Sequence, residues 1–299
     1  MPTIHMNLAA AAHAEMIRDG FQPDFSADTQ TQIAQIRASA ADRLQTAGLT
    51  DLRSLLWSSI DNDTSRDLDQ IEWVERTPLG TRVLIGVADV DAAVPKDSPI
   101  DKHAAGQTTS VYTPAMVFPM LPNELSTDLT SLNENVDRVA IVVEYTVNTN
   151  APDNECTVDS LLLNTKIYRA LVRNRAQLAY DSVGNWLEGR TNPPAKVASS
   201  ADLQAQLHLQ DEVAQMLHKH RILCGALEFD RTEAEADMQD NQVQGLKAVK
   251  KTRANEIIED FMIAANETMA RTLLQAGRSS IRRVVRTPKR WDRIVALAA

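Results

Sequence analysis

Four aspartates, Asp61, Asp63, Asp67 and Asp69, fall within nine positions of the stretch 59–73, SIDNDTSRDLDQIEW. Carboxylates held that close repel one another, and a bound divalent cation offsets the repulsion. Three chemistries are open to such a stretch. As an EF-hand loop, Asp61, Asp63, Ser65, Asp67, Asp69 and Glu72 supply the right ligand types in the right order. Arg66, however, stands where that loop needs glycine for its sharp turn, and Pro78 and Gly80 would soon interrupt the exit helix. As a solvated turn the stretch needs no metal, since Asp, Asn and Ser are ordinary turn residues. As a catalytic Mg²⁺ site, a few carboxylates suffice, because water and phosphate oxygens complete the octahedron. Two such ions could activate a water and stabilise the leaving oxygen of a phosphodiester.

The elements that must position these carboxylates follow from the hydrophobic pattern. Leu52 to Trp57 leads in, and TRVLIGVADV (81–90) reads as a buried strand. Residues 111–126 contain three prolines and read as a rigid loop without regular structure. RVAIVVEYTVN (138–148) and VDSLLLNTKIY (158–168) read as strands, with a helical pattern from Thr165 to Leu187. Residues 201–223 and 253–276 are long amphipathic helices, GALEFD (225–230) a short strand, and 233–244 a polar hairpin region. Strands grouped early and long helices later predict an α+β fold: a mixed, largely antiparallel sheet with long helices around it.

Residues 1–50 form a separate helical N-terminal segment, about 5–19 and 28–47, with Ser26 or Asp28 as an N-cap. It has the length of a helix-turn-helix, but Arg18, Arg37 and Arg43 are outnumbered by Glu15, Asp19, Asp24, Asp28 and Asp42, which argues against DNA. Its sparse apolar positions, Ile33, Ile36 and Leu44, require a larger body to lean on.

The whole chain of 299 residues is 43% hydrophobic and 24% charged, as expected of a soluble globular protein with one large domain or two. A net charge of −9 gives no overall affinity for nucleic acid, although a groove can be locally basic. Basic residues group at Lys166, Arg169, Arg173 and Arg175, at Lys247, Lys250, Lys251 and Arg253, and at Arg282, Arg283, Arg286, Lys289 and Arg290. Three such groups suggest a phosphate-tracking path whose binding weakens with salt. Cys156 and Cys224 form no framework, and reduced thiols in a cytoplasmic protein are expected. No apolar run has membrane-span length, and the N-terminus lacks the basic region of a secretory signal.

The blocks also resemble those of a known family. IDNDTSRDLDQ is similar to the signature of the ribonuclease II (RNB) family of 3′→5′ exoribonucleases, Ile-Asp, five residues, then Asp-x-Asp-Asp. The stretches at 85–104, 109–138, 178–188, 225–229 and 254–266 correspond in order, so the resemblance covers residues 51–299 as a catalytic domain. It implies hydrolysis of single-stranded RNA from the 3′ end, releasing nucleoside 5′-monophosphates with Mg²⁺, or Mn²⁺ as a substitute.

Residue by residue, the resemblance makes Asp61 a metal ligand, Asp67 a shaper of the site and Asp69 the carboxylate tied to cleavage, through a metal or the attacking water. Gln70 stands where the family has a metal-binding aspartate; an amide oxygen can ligate without charge. Tyr112 and Phe229 match aromatics that stack on bases, Tyr180 an RNA contact further along, and Glu259 a carboxylate near the terminal ribose. The family's flanking OB-fold RNA-binding domains, and a downstream segment supplying an arginine, have no counterpart before Ala299; none of Arg282, Arg283 or Arg286 matches that arginine. The expectation is therefore part of a longer enzyme, completed by its C-terminal portion or an OB-fold domain. The alternative is an RNA-binding module with weak or no catalysis.

Overall fold

The computed structural model describes residues 7–149, 158–227, 233–239, 242–281 and 289–298. Helices α1 (Leu8–Arg18) and α2 (Ala27–Ala38) open the chain, followed by a single turn, α3 (Ala40–Arg43). Asn7 and Ser26 cap the first two by accepting from the backbone N–H of Ala10 and Thr29. Strands β1 (Thr50–Asp51), β2 (Trp57–Asp61), β3 (Gln70–Thr77) and β4 (Gly80–Ala88) come next, then helix α4 (Pro99–Gln107). A small hairpin of β5 (Val111–Tyr112) and β6 (Val117–Phe118) and a π-helical turn (Glu124–Leu129) lead to β7 (Asp137–Val147). So the proline-rich segment, expected to lack regular structure, holds a hairpin whose turn contains Pro114.

The second half begins with the turn α5 (Val158–Leu161), strand β8 (Leu162–Ala179) and helices α6 (Tyr180–Leu187), α7 (Ala195–Ala198) and α8 (Ala201–Leu223). A hairpin of β9 (Glu233–Gln239) and β10 (Gln242–Val249), helix α9 (Arg253–Gln275) and helix α10 (Trp291–Ala298) complete it. The helix expected from Thr165 is a strand as far as Ala179. That strand is half of what closes the sheet. The order is β1-β8-β2-β3-β4-β7, and β7 pairs back onto β8, so five strands form a ring. The first part of β8 pairs antiparallel with β7 and the last part runs parallel to β2, from Asn174 to Ala179. The β1–β8 pairing is also parallel, while β2–β3, β3–β4 and β4–β7 are antiparallel. A mixed, largely antiparallel sheet with long helices on it is the expected fold class.

Because successive residues of a strand face opposite sides, the sheet builds two cores. Trp57, Leu68, Ile71, Trp73, Leu84, Val142 and Val172 make one. On the other face Ile60, Val74, Ile85, Val143 and Tyr145 meet Leu203, Leu207 and Leu217 of α8 and Ile257, Phe261 and Ala265 of α9. A third, smaller core joins Ile33 and Ile36 of α2 to Val94, Ile100 and Leu125, so the N-terminal helices do lean on the larger body.

Gly225–Leu227 form no strand, and Phe229 lies outside the described residues. Cys224 is disulfide-bonded, against the expectation of reduced thiols. Among the described residues no helix is long and apolar enough to cross a membrane.

Candidate active site

Asp61 ends β2 and sits in register with Ala179, the last residue of β8. Its Oδ1 accepts from the backbone N–H of Asn62 at 2.7 Å and from the Ser65 hydroxyl at 2.9 Å, which turns the chain out of the strand. The acidic stretch is thus strand-loop-strand. The helix-loop-helix of an EF-hand is absent, and β3 begins where its exit helix would.

Leu68 fixes the far end of the loop. It is buried, its N–H donates to Ser131 Oγ at 3.0 Å, and its carbonyl accepts from Leu132 N–H at 2.9 Å. Ser131 Oγ also donates to the carbonyl of Arg66 at 2.9 Å. With Leu68 turned inward, its neighbours Asp67 and Asp69 face the other way together, as residues two apart do on an extended chain. Nothing in the spacing of the aspartates pointed to Ser131; this anchor is a tertiary contact between segments far apart in the chain.

The electrostatics follow from that placement. Asp69 reaches solvent at the mouth of the site, yet the surrounding chain strips water from its carboxyl, and Asp67 and Asp61 add like charge. Together these push its pKa up to about 6. The Tyr112 hydroxyl donates to Asp67 Oδ2 at 3.1 Å, while the residue remains 67% exposed on its hairpin. Partial burial, with the Asp67 charge and hydrogen bond after it, pushes the Tyr112 phenol up to about 12. Tyr180 opens α6 directly after the residue paired with Asp61, and its phenol is likewise raised, by burial first and then by Asp61 and Glu72. The structure therefore gathers Asp61, Asp67, Asp69, Tyr112 and Tyr180 into one neighbourhood. Gln70 opens β3 beside them.

Glu259 makes its contacts elsewhere: Lys251 Nζ donates to it at 2.7 Å and Arg221 lies 3.7 Å away. Asn255, expected on the same polar stripe, is used in the capping box of α9, accepting from Thr252 N–H at 2.9 Å. The first basic group does not form an open phosphate path. Arg169 is paired with Asp89 and Asp91, Arg173 with Asp137 and Lys166 with Glu144, while Arg175 donates to the carbonyl of Arg53. Arg282, Arg283 and Arg286 lie outside the described residues.

Among the described residues, no lysine or arginine is paired with Asp61, Asp67 or Asp69, and the Asp69 carboxylate has no hydrogen-bond donor. Nor do three His, Cys, Asp or Glu side chains there converge tightly enough to cage a metal alone. The donor set fits a cation that takes few protein ligands and keeps its waters, as Mg²⁺ does, and does not fit a fully caged ion.

One residue beside the site was not singled out in this role from the sequence. Glu72, central in β3, is 1% exposed, and neither carboxylate oxygen has a partner among the described residues. It lies opposite Ser58, whose hydroxyl accepts from Gln210 of α8 at 3.3 Å. Burial, and then the charge of Asp61, raise its pKa well above the usual carboxylate range. The only signal in the sequence was one acidic residue at a core position of a strand.

Residues 49–298 match the RNB domain family. The chain belongs to the RNB domain family. Ribonuclease R of Escherichia coli K12 is 30% identical over 257 residues, which are 85% of this chain and 30% of that protein. The chain thus spans about a third of the length of the curated relatives it matches. Among solved structures, RNase R of Mycoplasma genitalium in complex with ribose-methylated single-stranded RNA superposes with a TM-score of 0.79 at 24% identity, over 94% of this chain and 42% of that one. The same enzyme in complex with double-stranded RNA gives a TM-score of 0.80 at 23% identity, over 97% and 49%. At these identities the structures speak for the RNB fold, and the ordered aspartate block for the family's signature.

Proposed function

We propose that this chain is the catalytic domain of a 3′→5′ exoribonuclease that hydrolyses single-stranded RNA and releases nucleoside 5′-monophosphates. The observation that carries the reading is the juxtaposition of three carboxylates, Asp61, Asp67 and Asp69, that have no lysine or arginine partner among the described residues, with the exposed ring of Tyr112, bonded to Asp67. An aromatic beside the carboxylates grips a base whatever its identity, because every base offers a π-face. Asp61 and Asp69, with the Gln70 amide oxygen, would hold Mg²⁺ or Mn²⁺. The ion would supply Lewis-acid stabilisation of charge on the scissile phosphate.

Asp69 is the carboxylate tied to cleavage, as a ligand of the ion or as the group that accepts the proton of the attacking water. Asp67, oriented by the Tyr112 hydroxyl, fixes the distance between the stacked base and the carboxylates. Tyr180 and Phe229 serve as further RNA contacts and Glu259 as a contact to the terminal ribose hydroxyls. An OB-fold RNA-binding domain, or the rest of a longer enzyme, is the expected partner. The reading is tested by the product released from 3′-end-labelled RNA: a nucleoside 5′-monophosphate supports it, and an unphosphorylated nucleoside, with the phosphate left on the RNA, contradicts it.

A second reading, RNA binding with little catalysis, is favoured by the uncharged Gln70 and by the absence of a three-carboxylate cage among the described residues. Gln70→Asp separates the two. Added charge at that position is expected to raise cleavage at subsaturating Mg²⁺ about tenfold, the equivalent of about 1.4 kcal/mol of ion binding. An unchanged Mg²⁺ titration would show that Gln70 does not limit metal binding.

A further inference from the structure

We propose that the N-terminal helical segment, residues 7–38, is a positioning element for the hairpin that carries Tyr112, and that it acts chiefly through Gln32. The proposal rests on the reading of Tyr112 as the residue that stacks on RNA. Helix α4 runs into that hairpin through only Thr108, Thr109 and Ser110, so wherever α4 lies, Tyr112 follows. Both ends of α4 are held by the N-terminal segment. At the start, Gln32 Oε1 accepts from the backbone N–H of Ile100 at 2.9 Å, and Gln32 Nε2 donates to Ser98 Oγ, the N-cap, at 2.9 Å. At the end, Gln107 Nε2 donates to the carbonyl of Gln22.

Gln32 and Gln107 are only 8% and 5% exposed, so these bonds are made away from competing water. In between, the rings of Phe25 and His103 lie 4.3 Å apart. The hairpin itself is touched by α1, with His13 and Phe118 ring centroids 6.3 Å apart, and Phe118 is in register with Val111, the neighbour of Tyr112.

The link between α4 and the hairpin is strained. Thr108 has φ = 60°, a left-handed conformation that a β-branched residue enters at a cost. Such a turn persists only where its surroundings over-determine it, and here they do so by holding α4 at both ends. A segment that merely buried apolar surface would need Ile33 and Ile36 but no amide directed at the first turn of α4.

The test is a double-mutant cycle on the full chain, with a fluorescently labelled single-stranded RNA decamer in EDTA so that no cleavage occurs. Tyr112→Ala is expected to weaken binding about tenfold. Gln32→Leu should weaken it about fivefold in the wild-type background and not at all on top of Tyr112→Ala. Gln32→Glu should bind as wild type, because a carboxylate accepts from both the Ile100 N–H and the Ser98 hydroxyl. Amide exchange over 108–118, measured without RNA, should accelerate in Gln32→Leu and not in Gln32→Glu.

Where Gln32→Leu does not fold, Gln107→Leu, which frees the other end of α4, must give the same pattern. An additive cycle, or unchanged affinity and exchange in both leucine variants, overturns the proposal. If Tyr112→Ala binds RNA as wild type while exchange still rises in Gln32→Leu, the stacking reading fails and the clamp stands.

Discussion

Asp69→Asn is expected to slow RNA hydrolysis at least about a thousandfold while leaving the affinity for single-stranded RNA in EDTA within about twofold of wild type. The amide fills the same volume but cannot take a proton from water or place negative charge beside a cation. Binding survives because the base-gripping ring belongs to Tyr112, on another segment. Stability should not suffer either, and the sign can be worked out. The folded-state pKa of Asp69 is raised from 3.8 to about 6, so the folded chain holds a proton that the unfolded chain has lost. The stability associated with Asp69 is therefore complete below pH 3.8 and is lost as the pH rises through about 6. Without divalent ions, the asparagine variant should match wild type at pH 4 and exceed it at pH 7. RNA binding lost to the same degree as cleavage would contradict the assigned role.

The largest effect on stability is expected from Glu72→Gln. A carboxyl that is fully enclosed, with no partner for either oxygen among the described residues, keeps its proton when folded and gives it up when unfolded. Its pKa is raised, so wild-type stability should fall as pH rises above 4.5, by up to about 1.4 kcal/mol per pH unit while the folded carboxyl stays protonated. The amide is nearly isosteric and equally unpaired but has no proton to lose in either state. Urea unfolding at pH 4, 6 and 8 should give curves that coincide at the lowest pH and separate progressively, with Glu72→Gln the more stable. Parallel curves would mean that Glu72 is ionised in the folded protein.

These two carboxylates also mark what could be read from the sequence. Asp61, Asp67 and Asp69 were legible because their spacing, two residues around an apolar Leu68, already places the last two on one side of the chain. The strand-loop-strand setting that excludes an EF-hand was not, since it depends on β2 and β3 flanking the loop. The long amphipathic helices α8 and α9 were read nearly to the residue, because a 3.6-residue period over more than twenty positions has few competitors. Strand β8, whose first residues were read as a strand, was misread as a helix over its later part for a specific reason. Its alternation holds over VRNRAQLA, with Val172, Asn174, Ala176 and Leu178 turned inward, but a buried asparagine conceals the period. Asn174 is tolerated there because it accepts from the nearby Ala176 N–H and donates to Ser59 Oγ and the Leu132 carbonyl, two partners far away in the chain.

The first basic cluster shows the opposite error, in which sequence proximity was taken for availability. Arg169 and Arg173 lie close in the chain but are neutralised by Asp89, Asp91 and Asp137, which only the closed sheet brings to them. The roles of Gln32 and Gln107 were also invisible, since a glutamine gives no sign of which backbone group it will cap.

The central claim is directional removal of nucleotides from the 3′ end, at the carboxylates beside Tyr112. Its most direct test is incubation of 5′-labelled single-stranded RNA with the protein and Mg²⁺, with Asp69→Asn as the control. A ladder of products that shortens from the 3′ end with time, and is missing in the variant, is the predicted result. RNA that stays intact, internal cuts without progressive shortening, or a ladder that persists in Asp69→Asn would contradict the account.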